Sequence, residues 1–151
     1  LRNDLNINTS NRIDDKGRVP LPAKYRLSLS GDDLILTRSF DPNSQYLQLF
    51  FTPEDYDAWT AKWLSSVSSY QSDFLAEQRM LLMLNSAKQD IKLDSASRLR
   101  LSDEMRKFAN IADKVQFVGM GAFVALMNPA EGERLLSSYY QAQAAGQAQL
   151  S

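Results

Sequence analysis

One pattern occurs twice in this chain, and it constrains the fold more than any other feature. Ile13-Asp14-Asp15-Lys16-Gly17-Arg18-Val19-Pro20-Leu21 aligns with Leu93-Asp94-Ser95-Ala96-Ser97-Arg98-Leu99-Arg100-Leu101 at an offset of 80 residues. Both read apolar, Asp, three turn-forming residues, Arg, apolar, any residue, Leu. The two D-x-x-x-R matches are the only ones in the sequence. Asp33 then aligns with Asp113, and the apolar stretch Leu34 to Leu36 with Val115 to Val118. Asp41 to Ser44 read as an insertion, after which the offset is 76 and Thr52-Pro53 aligns with Asn128-Pro129. Self-similarity at this scale predicts two copies of one supersecondary unit sharing a core.

Local chemistry agrees in each copy. Residues 14–18 and 94–98 lie between strand-like runs, so each D-x-x-x-R is expected to close a hairpin. Gly17 can take a positive φ there, which Ser97 cannot do as cheaply. A short helix should follow each, with Pro22 in its first turn in one copy and Ser102 as N-cap in the other. Strand pairs are predicted at about 33–40 with 46–51 and about 114–120 with 122–127. Thr52 and Asn128, each followed by Pro, read as N-caps, and Glu131 completes a capping-box pattern. The predicted helix over 53–67 places Tyr56, Trp59, Trp63 and Val67 on one face, a stripe that reads as core. The predicted helix over 72–86 carries Met-Leu-Leu-Met-Leu at 80–84 and is apolar nearly all round. It is expected to be buried between the copies or in an interface. The tail from Ser137, rich in Gln, Ala and Ser, reads as a helix fraying over 141–151. The organisation expected is a first repeat at 5–52, connecting helices at 53–86, a second repeat at 87–140 and the tail.

Composition excludes several classes. Of 151 residues none is Cys and none is His. Disulfides, thiolate metal sites, cysteine nucleophiles and every Ser-His-Asp arrangement are therefore ruled out. No paired carboxylates and no Gly-rich phosphate loop stand out, so an enzyme is not expected, nor a metal, cofactor or small-molecule substrate. No apolar run approaches the roughly 20 residues of a membrane span, and the start lacks a signal pattern. A cytoplasmic protein without a membrane association is the expectation.

Net charge is −1, which taken globally argues against a general nucleic-acid binder. Its distribution argues differently. Residues 12–26 carry a net +3 and residues 88–107 a net +2, which leaves −6 elsewhere. Positive charge is concentrated on the two repeated segments. Arg18 and Arg98 can read guanine bidentately or clamp a phosphate, provided they are held in place. Asp14 and Asp94, four residues earlier, can accept from backbone N–H groups or from the Arg and so orient it. The alternative is that each Asp–Arg pair only staples its own turn. Lys16 and Arg100 are the next candidates, as phosphate contacts. Lys24 follows on the first short helix.

The run D-K-G-R-V-x-L-P-A-K-Y-R, with Asp14 before it and the second D-x-x-x-R at 94–98, resembles the signatures of the MraZ family. The resemblance covers about residues 5 to 140. It implies an α+β fold of two pseudo-repeated, AbrB-like swapped-hairpin β-barrel modules with flanking helices. It implies a ring-like homo-oligomer, an octamer. It further implies a nucleoid-associated transcriptional regulator that binds direct repeats in promoter DNA upstream of the division and cell-wall gene cluster. Carried over by position, Arg18 and Arg98 face DNA. The chain departs from the family pattern at Ser97, where Gly is common, at Pro20, at the start from Leu5 to Arg12, and in its tail. A protein-interaction module, antitoxin-type or structural, stays open as the alternative, since AbrB-like hairpins serve there too.

Overall fold

A computed structural model describes residues 9–39, 44–68 and 74–150. In chain order the elements are β1 (Ser10–Arg12), β2 (Arg18–Pro20), α1 (Ala23–Arg26), β3 (Leu34–Arg38), β4 (Leu47–Phe50), α2 (Pro53–Ser68) and α3 (Phe74–Ala87). There follow β5 (Gln89–Ile91), β6 (Arg98–Arg100), α4 (Asp103–Phe108), β7 (Lys114–Gly119), β8 (Val124–Met127) and α5 (Pro129–Leu150). Every strand pair is antiparallel. Six strands form one sheet in the order β1-β7-β8-β4-β3-β5, and β2 and β6 form a separate two-stranded ribbon.

The four central strands are buried on both faces, and alternation decides what each face meets. Leu34, Leu36, Leu47, Leu49, Val115, Phe117, Val124 and Leu126 point to one side. There they pack with Val19 and Leu99 of the ribbon, Tyr25 of α1 and Met105 of α4. Ile35 and Phe50 point to the other side, against Tyr56 and Trp59 of α2. Val118, Ala125 and Met127 also point there, with Leu135 of α5 packed on them. The sheet is thus a middle layer, with the ribbon and short helices on one face and the long helices on the other. Two buried polar side chains of the sheet pair with each other: Thr37 Oγ1 donates to Gln48 Oε1 at 3.1 Å.

The helix starts follow local rules. Thr52 Oγ1 accepts from Asp55 N at 3.0 Å, Ser102 Oγ from Met105 N at 3.3 Å, and Asn128 Oδ1 from Ala130 N at 2.8 Å. Pro22 falls one place earlier than expected, as the N-cap residue of α1. The expected strand pairs form, as β3 with β4 and β7 with β8. The connection from Arg38 to Leu47 is four residues longer than that from Gly119 to Val124. Of the expected insertion at 41–44, only Ser44 lies within the described residues.

Four expectations need correction. The D-x-x-x-R turns do not join the two strands of a hairpin. Each is closed by a backbone bond, Asp14 N to Arg18 O at 2.9 Å and Asp94 N to Arg98 O at 3.1 Å. Beyond it the chain separates, with β1 pairing β7 and β2 pairing β6. Tertiary pairing overrides the local hairpin because β2 and β6 bury Val19 and Leu99 against the sheet. Secondly, α3 is not buried between the halves, the first of the two places expected for it; its apolar face is left for the second, an interface. Leu84 is its buried residue, while Phe74 is 70%, Leu75 61%, Leu82 69% and Met83 51% exposed. Residues 72 and 73 of that expected helix lie outside the described residues. Thirdly, the tail is helical as far as Leu150, which suits its Ala and Gln content. Lastly, Glu131 does not close a capping box; its carboxylate accepts from Ser44 Oγ at 2.6 Å and pairs with Arg134. On the α2 stripe Tyr56 is buried and Trp59 and Trp63 are half-buried, stacked with centroids 6.4 Å apart; the side chain of Val67 lies outside the described set.

Candidate nucleic-acid interface

The two repeated turns have the same internal wiring. Asp14 Oδ1 accepts from Lys16 N at 3.0 Å and Arg18 N at 2.8 Å, while Oδ2 accepts from Arg18 Nε at 2.7 Å. Asp94 Oδ1 accepts from Ala96 N at 2.9 Å and Arg98 N at 2.9 Å, while Oδ2 accepts from Arg98 Nε at 2.8 Å. Asp is needed because only a short carboxylate reaches both the backbone N–H groups of its own turn and a side chain four residues on. Asp14 is held below its ordinary carboxylate range, chiefly by the Arg18 backbone N–H and further by the Arg18 side chain. Asp94 is lowered likewise, first by the Arg98 backbone N–H.

Left-handed backbone completes each turn. Gly17 has φ +80° and Ser97 φ +57°. The serine therefore adopts the strained conformation that its counterpart reaches as glycine. The turn tips also lock onto the opposite strand: Leu101 N donates to Gly17 O at 2.7 Å and Leu21 N to Ser97 O at 3.0 Å.

These two bonds fix the hydrogen-bonding phase of the ribbon. Its register pairs Arg18 with Arg100, Val19 with Leu99, and Pro20 with Arg98. Antiparallel ladders alternate bonded and non-bonded pairs. Val19 and Leu99 are consequently the bonded pair, and Arg18/Arg100 and Pro20/Arg98 the non-bonded ones. The missing N–H of Pro20 thus costs no ladder bond, and its carbonyl accepts from Asn11 Nδ2 at 2.7 Å. Pro20 sits at an edge position, as its chemistry requires.

Val19 and Leu99 are fully buried, so the other positions point outward by strand alternation. The outward face of the ribbon carries Arg18, Pro20, Arg98 and Arg100. Three guanidinium groups from two segments 80 residues apart are brought onto one small surface. Arg18 and Arg98 are each about one-third exposed. With Nε engaged by the carboxylate, each keeps its Nη edge for a ligand. Like charges placed directly opposite on a ladder are unfavourable, so Arg18 and Arg100 face each other at a cost that a bound anion would offset.

Lys16 and Arg100 line the same open cleft of about 460 Å³ beside the ribbon, together with Lys92 and Asp103. No local motif in the sequence marks Lys92. Its Nζ lies 3.6 Å from Asp33 Oδ1, and only the tertiary fold puts it near the ribbon. Lys24 is placed differently. It lies on α1 with its ammonium 5.0 Å from the Tyr25 ring centroid, and no contact among the described residues joins it to the ribbon arginines.

No family model matches the chain. It is 32% identical to the transcriptional regulator MraZ of Mycoplasmoides gallisepticum over 119 residues, 79% of this chain and 78% of that protein. It is 35% identical to the transcriptional regulator MraZ of Thiobacillus denitrificans over 124 residues, 80% of this chain and 78% of that protein. With the protein of the same name from Roseiflexus castenholzii the identity is 30% over 126 residues, 83% and 82% of the two chains. At this identity over most of both lengths, the chain belongs to the MraZ family.

Proposed function

We propose that this chain is a sequence-specific DNA-binding transcriptional regulator, and that the outward face of the β2–β6 ribbon is the surface that meets DNA. The observation that carries the reading is the convergence of Arg18, Arg98 and Arg100 on that face, two of them held by carboxylates in identical turns. The names of its relatives support the same reading. A two-stranded ribbon fits the major groove, and an Nη edge can span guanine O6 and N7. Arg18 and Arg98 would read bases or clamp phosphates, while Lys16 and Arg100 contact phosphates. Lys24 is a peripheral phosphate contact at most. Asp14, Asp94 and Gly17 orient the arginines. No enzymatic activity is proposed.

The two halves would be copies of one swapped-hairpin unit, 5–52 and 87–140, joined by helices at 53–86. An offset of 80 turns the pair Arg18/Arg100 into Arg98/Pro20, and the six-strand order reads alike from both ends when the copies exchange. Both symmetries support that organisation. The exposed apolar side chains of α3 support self-assembly into a ring-like homo-oligomer, an octamer. A ring would repeat the ribbon at fixed spacing, so that neighbouring subunits engage direct repeats in promoter DNA upstream of the division and cell-wall gene cluster. The second contact is then intramolecular, which raises affinity without new chemistry. The protein would work in the cytoplasm, associated with the nucleoid. Among the described residues no helix is long and apolar enough to cross a membrane.

Fluorescence anisotropy with DNA from upstream of the chain's own gene tests this. Wild type should bind tightly and lose affinity steeply with salt, and Arg18→Ala and Arg98→Ala should both lose binding. Binding no stronger than to scrambled DNA would favour the protein-interaction module instead.

A further inference from the structure

The ribbon backbone is symmetric under exchange of the two copies, but its outward side chains are not. The pair Arg18/Arg100 stands at one end and Pro20/Arg98 at the other. Lys16 at the tip of the first turn also has Ala96 as its counterpart. Arg100 differs from the other two arginines of the face. Arg18 and Arg98 are tied to Asp14 and Asp94, whereas Arg100 has no carboxylate partner among the described residues. It lies at a non-bonded ladder position, where facing side chains approach most closely. Asp103 also lines the neighbouring cleft, on the side of α4, but makes no ion pair with Arg100 among the described residues.

Resting on the DNA-binding reading above, we propose that Arg100 gives the ribbon a polarity. With Arg18 directly across from it, Arg100 forms a two-guanidinium seat for one phosphodiester group of DNA. The opposite end offers a proline in the equivalent place and supplies only Arg98. A backbone that fits a groove equally well in two orientations is thereby held in one. Each subunit then engages its half-site in a single direction, and copies arranged head to tail read directly repeated sites in place of inverted ones.

The test uses the full chain and the shortest duplex from upstream of its own gene that wild type binds, with methylphosphonate replacing one phosphate at a time. In wild type, neutralising one phosphate should weaken binding about tenfold, and the symmetry-related phosphate should matter little. In Arg100→Ala, or in the more conservative Arg100→Gln, that sensitivity should vanish and the salt slope should fall by about 1. In Pro20→Arg combined with Arg100→Ala, the sensitive phosphate should move to the symmetry-related position. Two equally sensitive phosphates in wild type, or an unchanged pattern in Arg100→Ala, would overturn the polarity while leaving DNA binding intact. Absence of wild-type binding to any promoter duplex would overturn the DNA reading, and this inference with it.

Discussion

Leu101 donates its N–H to the carbonyl of Gly17, and a Cβ at position 17 would collide with the carbonyl oxygen of that same Leu101. Glycine is required there twice over, by the close approach and by φ +80°. Gly17→Ala should destabilise the fold by about 2 kcal/mol or more, read as a lowered Tm in a thermal melt. Ser97 holds the matching place in the other turn at φ +57°. Ser97→Gly should raise Tm, with about 0.5–1 kcal/mol gained by relieving the left-handed strain. Opposite signs at equivalent positions are the expected result, and equal signs would contradict the two turns being built alike.

Both motif aspartates are held below their ordinary pKa of 3.8 in the folded chain, first by the backbone N–H of the arginine four residues on. Below pH 3.8 the unfolded chain takes up these protons before the folded one does. Their stabilisation is therefore complete above that pH and is lost as pH falls through the lowered folded values. Melts of Asp14→Asn with Asp94→Asn should show a shallower drop in Tm below pH 4 than wild type. A parallel drop in both proteins would remove the aspartates as its cause.

The apolar side chains on α3 remain uncovered within one chain, with Leu82 69% exposed. On the reading proposed above, this face is where neighbouring subunits meet. Leu82→Glu should reduce the particle mass measured by light scattering while leaving the circular dichroism spectrum unchanged. It should also weaken binding to promoter DNA at least about tenfold through lost multivalency. An unchanged mass would place the subunit seam elsewhere.

What the sequence revealed was local. The caps at Thr52, Ser102 and Asn128 follow from residue type and the one or two residues after them. The bond from each Asp to the Arg four residues on needs only the turn that contains both. What it concealed was long-range. Residues 14–18 sit between two strand-like runs, yet those runs pair with β7 and β6, not with each other. No local periodicity encodes a partner 80 residues away. For the same reason the facing of Arg18 and Arg100 is not legible in the sequence, although the repeated pattern points to both residues, and neither is the place of Lys92 beside them. The apolar run at 80–84 announced a surface to be covered, but not whether the same chain would cover it.

The central claim is that the ribbon's outward face meets DNA. Pro20 lies on that face between the arginines, on the opposite side of the sheet from the long helices. Photocrosslinking tests the claim most directly, with benzoylphenylalanine placed at position 20 in one protein and at position 82 of α3 in another, each bound to promoter DNA. The account predicts a covalent DNA adduct from position 20 and none from position 82. An adduct from position 82, with none from position 20, would contradict it.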